Sequence, residues 1–217
     1  MQRRLREPVN GLTHLAAAIV AVVGIMILIY LARHSTVKLI SLSVYGLSLA
    51  LMFTASAVYH LVRAGPRIML FLRKLDHSSI YLLIAGTYTP ICIHYFTGTW
   101  RWAPLVIIWS LAIIGIAVKL FVIRAPRWVT AGVYLLMGWL AIVAAKEVLA
   151  SIPTGALVWL LLGGLFFTGG AVIYILKKPD PLPGVFGFHE IWHIFVILGA
   201  FSHFIIMAAF VAPSGSV

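Results

Sequence analysis

Seven apolar runs of membrane-crossing length, parted by short polar breaks, leave this chain few ways to fold. They occupy approximately residues 11–32, 39–62, 76–96, 102–122, 128–147, 154–176 and 188–211. A helix needs about 20 mostly apolar residues to cross the hydrocarbon core of a bilayer. Lipid offers backbone polar groups no water, so segments of this kind form helices, which satisfy those groups internally. The expected fold is therefore all-α: a polytopic membrane protein, a seven-transmembrane helix bundle, with residues 1–217 forming a single integral membrane domain. Only 10% of the residues are charged and 63% are hydrophobic, too few charges to cover a soluble domain of this size. The first run follows a basic tail but is too long for a signal peptide and has no small-residue cleavage site after it, so it reads as a true span. The sole cysteine, Cys92, excludes an internal disulfide.

The basic residues orient the spans. With seven crossings, one side of the membrane collects Arg3, Arg4, Arg6, Arg63, Arg67, Arg73, Lys74, Lys119, Arg124, Arg127, Lys177 and Lys178. The other side has only Arg33, Lys38, Arg101 and Lys146. Loops rich in Lys and Arg stay inside, so the N-terminus is expected in the cytoplasm and the C-terminus outside. The same excess accounts for most of the net charge of +11. Anionic lipid headgroups suffice as partners for it, and nucleic acid need not be invoked. Trp100, Trp102 and Trp128, near span ends, suit an interfacial aromatic belt.

Within this apolar chain the ionisable residues gather at one depth. His60 closes the second run, Asp76 and His77 open the third, and His189 and His193 open the seventh. All fall at the cytoplasmic end, as do Glu7 and His14, whereas His34 and His94 fall at the other. His189 and His193 are four apart and share a helical face, as do Ser56 and His60. Three neutral imidazoles with a fourth position left for water make a zinc site of the catalytic kind, although imidazole also suits iron, copper or nickel. Asp76 is the natural carboxylate to take the proton of the water. A lone histidine near a helix end is usually an interfacial residue. Intramembrane ionisable residues are costly unless paired or solvated, so four at one depth point to a site. His77 is the weaker candidate, because successive helical residues point about 100° apart and only one of Asp76 and His77 is expected to face the interior. His203, ten residues past His193, is expected too deep to join the ligands, by about 15 Å.

His189-Glu190-Ile191-Trp192-His193 also fits the H-E-x-x-H pattern of metalloprotease helices, with Glu190 as general base. That reading would recruit Asp76 as third ligand and leave His60 idle. Paired glycines at 163–164 and 169–170 permit close helix packing or a lipid groove.

Several segments together resemble the hemolysin III family, the bacterial branch of the progestin and adipoQ receptors. They are Glu7-Pro-Val-Asn10-Gly-Leu-Thr-His14, Ser56-Ala-Val-Tyr-His60, Leu75-Asp76-His77-Ser78 through Tyr88-Thr89-Pro90, Gly138-Trp139-Leu140, and Phe188-His189 through His193 to Ser202-His203-Phe204. The resemblance spans nearly the whole chain. It implies a seven-helix bundle in the bacterial inner membrane, zinc held by His60, His189 and His193, and Asp76 contacting water at the metal. By similarity to adiponectin receptors and alkaline ceramidases it implies hydrolysis of a lipid amide or ester, with Ser56 as a hydrogen-bonding catalytic group and a role in membrane lipid or fluidity homeostasis. Glu190 is not carried over from the family. Two other classes of function are set against this one: a non-enzymatic sensor or receptor whose zinc staples spans two and seven, and a membrane-lytic protein. A pore needs a polar stripe along a span, and the polar residues here cluster at one end.

Overall fold

A computed structural model describes residues 5–122 and 125–214; Arg3, Arg4 and Arg124 of the basic tally lie outside the described residues. Among these, the chain forms seven helical rods in sequence and no strand beyond an isolated Leu182–Phe186 bridge. The rods are α1 (Pro8–Ala32), α2 (Thr36–Leu61), α3 (Pro66–Tyr95) and α4 (Gly98–Phe121). They continue with α5 (Arg127–Ser151), α6 (Thr154–Leu176) and α7 (Phe188–Val211). Six of the seven are long and apolar enough to cross a membrane; α3 is the exception. It is the longest, at 30 residues, but Asp76, His77, Ser78 and Ser79 make it more polar.

The breaks follow local chemistry. Pro8 and Pro66 sit in the first turns of α1 and α3, where proline lacks an N–H that the helix would leave unpaired anyway. The Ser35 hydroxyl caps α2 by accepting from the Lys38 N–H at 3.4 Å. Helix α3 begins ten residues before the apolar run that announces it, because Arg67–Lys74 continue the helix beyond the lipid-length portion. Helix α5 tightens into a 3₁₀ stretch over Trp139–Ala144. There the Tyr88 hydroxyl, from α3, faces the carbonyls of Met137 and Gly138 at 3.1 and 2.9 Å and accepts from the Ala141 N–H at 2.9 Å. A side chain inserted into the backbone ladder is a recognised cause of such a break.

Helix α2 is the centre of the bundle: 56% of its membrane-length window is buried, against 22% for α4 and for α6. Neighbours in sequence pack from α1 to α4 and from α5 to α7; α5 also packs on α3, and α1 meets α7. Two glycines set the spacing around α2. A Cβ on Gly11 would lie 2.4 Å from Leu61 Cδ2, and one on Gly86 would lie 2.2 Å from Ser48 Oγ, so α1 and α3 approach α2 closely. Hydroxyls inside the bundle bond back to their own helices, as Thr87 does to Leu83 O at 2.8 Å and Thr89 to Ala85 O at 2.9 Å. These contacts bring the start of α1, the end of α2 and the starts of α3 and α7 together at one end of the bundle. At the other end Lys38 Nζ donates to Ala212 O at 3.0 Å, and His94 Nε2 lies 2.9 Å from Ser41 Oγ.

Candidate metal centre

His60 occupies the last turn of α2, and His189 and His193 the first two turns of α7. One ring nitrogen from each lies within 4.8 Å of the others. His60 and His193 are buried. The three rings stand nearly perpendicular in pairs, at 74°, 80° and 83°, with centroids 4.8–5.1 Å apart. His193 Nδ1 is buried without a hydrogen-bond partner among the described residues. A buried imidazole nitrogen left unpaired costs free energy until a hydrogen-bond partner or an ion satisfies it. The donor set fits a divalent metal ion, which these three residues could hold.

Glu7, which the sequence placed only at the same end of the spans as the histidines, bonds to the cluster. Its Oε2 lies 2.5 Å from His60 Nδ1, and its Oε1 pairs with Arg6 Nε at 3.1 Å. An ionised carboxylate only accepts, so His60 Nδ1 carries the hydrogen, and the neutral ring keeps its Nε2 lone pair for a metal. Burial would raise the Glu7 carboxyl, but its hydrogen bond with His60 and the charge of Arg6 outweigh it and hold the group below the usual carboxylate range. The backbone is tied as well: the Glu7 N–H donates to His60 O at 2.9 Å, filling a carbonyl the helix end leaves free.

Glu190 has other employment than general base. Its Oε2 accepts from the Gly187 N–H at 2.8 Å, capping α7, and its Oε1 accepts from Asn10 Nδ2 at 2.8 Å. With both oxygens engaged at the helix start, the H-E-x-x-H reading loses its base. His14 stacks on His193, ring centroids 3.8 Å apart. The sequence signal for part of this arrangement was the four-residue spacing of Asn10 and His14, which puts them on one face of α1.

A cavity of about 540 Å³ extends from the cluster into the bundle. Ser56, Asp76, His189 and His193 line it at one end, Trp100, Pro104 and Ile152 at the other, with mainly aliphatic and aromatic side chains between. Asp76 lines the cavity beside Ser56 but stands outside the three-histidine group. His77 lines it too, contrary to the expectation that only one of the pair would face inward; the void spreads across more than one face of α3, towards Tyr134 of α5. His203 lines the cavity away from the cluster, as its depth required.

The fold and the cluster define a polytopic helical membrane protein with a candidate metal site at one end of its bundle. Comparison with known proteins narrows this class. The family model described as "Haemolysin-III related" matches residues 2–204, and the chain belongs to that family. It is 37% identical over 214 residues to "Hemolysin-3" of Bacillus cereus, covering 97% of this chain and 94% of that protein. It is 36% identical to "Hemolysin-3 homolog" of Bacillus subtilis (strain 168), covering 91% of each. More distantly, it is 34% identical to the "Adiponectin receptor protein" of Drosophila melanogaster, over 60% of this chain and 33% of the receptor.

Proposed function

We propose that this protein is a zinc-dependent hydrolase of a lipid amide or ester, set at the cytoplasmic end of a seven-span bundle in the bacterial inner membrane. The observation that carries the reading is the joining of the histidine cluster and Asp76 to one long apolar cavity. A structural metal staple needs the histidines alone; it needs neither a free carboxylate beside them nor a void of acyl-chain proportions.

The N-terminal segment packs on the end of α2 that bears His60, and the basic residues favour that end inside. Helix α3 is counted as the seventh span, since 30 residues extend about 45 Å and many of its polar side chains are buried. Its bare hydropathy understates it for that reason.

His60, His189 and His193 would hold the zinc, which when bound polarises a carbonyl and brings the pKa of water towards ~7. Asp76, outside the ligand group and facing the cavity, takes the proton of the attacking water and returns it to the leaving amine or alcohol. Ser56, one turn deeper than His60, donates a hydrogen bond to the oxygen on which charge develops. The apolar walls hold the acyl chain and keep bulk water away. Fatty-acid release from ceramide-like amides and phospholipids by purified protein is the test. Asp76→Asn is expected to keep its metal and lose turnover by about 10²–10⁴-fold; undiminished turnover in Asp76→Asn contradicts the assignment.

A further inference from the structure

The first two turns of α1 touch both helices that carry the histidine cluster. Glu7 meets His60 of α2 at 2.5 Å, Asn10 meets Glu190 of α7 at 2.8 Å, and His14 stacks on His193 at 3.8 Å. Asn10 and His14 share one face of α1, and Glu7 is the residue that leads into the helix. Asn10 and His14 are buried, and Gly11 lets α1 lie against Leu61, beside His60. The bond from Glu7 is the most directive of the three. It runs from a carboxylate to a ring nitrogen, and a neutral imidazole whose Nδ1–H is engaged offers only Nε2 elsewhere.

We propose that Glu7 is the positioning residue of the metal centre, fixing the tautomer and direction of His60 so that Nε2 faces His189 and His193, with Asn10 and His14 anchoring the same face of α1 to α7. Carboxylates bonded to a ligand histidine in this way raise its basicity and hold its ring, and losing one typically weakens metal binding about 10–100-fold. Arg6 on the other carboxylate oxygen keeps Glu7 from swinging away. The role rests on the reading of His60, His189 and His193 as metal ligands.

The test is a double-mutant cycle on the full chain in detergent, reading Zn²⁺ affinity by competition with a chelator and the visible spectrum of the Co²⁺ form. Glu7→Ala is expected to weaken Zn²⁺ binding about 10–100-fold and to alter the Co²⁺ bands. In a His60→Ala background, which no longer retains zinc through purification and whose weak residual affinity is read by direct Zn²⁺ titration, the same change is expected to cost almost nothing, because its effect passes through His60. Glu7→Gln keeps the side-chain volume and one acceptor oxygen, so it reads the effect even where Glu7→Ala does not fold. Its expected loss is smaller, about fivefold, and again absent without His60. Equal losses in both backgrounds would make Glu7 a general support of the fold and overturn the proposal. Wild-type affinity in both Glu7 variants overturns it while leaving the metal reading intact. Wild-type protein that binds no Zn²⁺ overturns both.

Discussion

Ser56 and Asp76 face the same void from neighbouring helices, yet neither belongs to the histidine group. Ser56 sits four residues before His60, so the serine that would meet developing charge is carried by the same turns that carry a ligand. Ser56→Ala is therefore expected to retain metal and to lose about 10²-fold in turnover, the usual cost of removing one donor to an oxyanion; metal analysis beside product release checks it. Residues of this kind were legible because they act through short helical spacings, as His189 and His193 do. Glu7 and Asn10 were legible only as residues near the start of the first span, without their partners. Their partners lie 53 and 180 residues away, and nothing local in the sequence announces such a pairing. Glu190 shows the complementary case: five residues match a motif that was not adopted, and its acid is here spent on capping α7 and holding Asn10.

At the scale of elements, α2 decides where everything else stands. It carries Ser56 and His60, and its contact with α3 fixes how near Asp76 comes. That contact is set by Gly86, where a Cβ would lie 2.2 Å from Ser48 Oγ and 3.3 Å from Val44 O. Gly86→Ala is expected to destabilise the protein by about 1–3 kcal/mol, seen as a lowered Tm in detergent. Ser48→Gly removes the nearer atoms and is expected to recover part of the loss. Recovery would be missing if Gly86 acted through backbone freedom and not through space. Apolar runs disclosed that seven such elements exist and roughly where six of them lie. The true start of α3 escaped, because helical propensity continues through Arg67–Lys74 where lipid does not. The 3₁₀ break in α5 escaped too, since it depends on the Tyr88 hydroxyl arriving from another helix.

The whole molecule joins a polar end to an apolar interior. Counting spans placed His60, His189 and His193 at one end of the bundle, and the three histidines do come together. The 540 Å³ cavity did not follow from the sequence. A void is a shortfall in packing among α2 to α7, and each apolar wall residue alone reads as ordinary core. The cavity turns a metal cluster into a candidate lipid site, so the claim that a catalytic metal sits there bears the most weight. Elemental analysis of the purified full-length protein, beside His60→Ala, His189→Ala and His193→Ala variants, tests it most directly. Near one zinc per wild-type chain, lost in each histidine variant while the protein remains folded, is the expected result. A metal-free wild type, or equal zinc in the wild type and the histidine variants, would contradict the assignment of this centre.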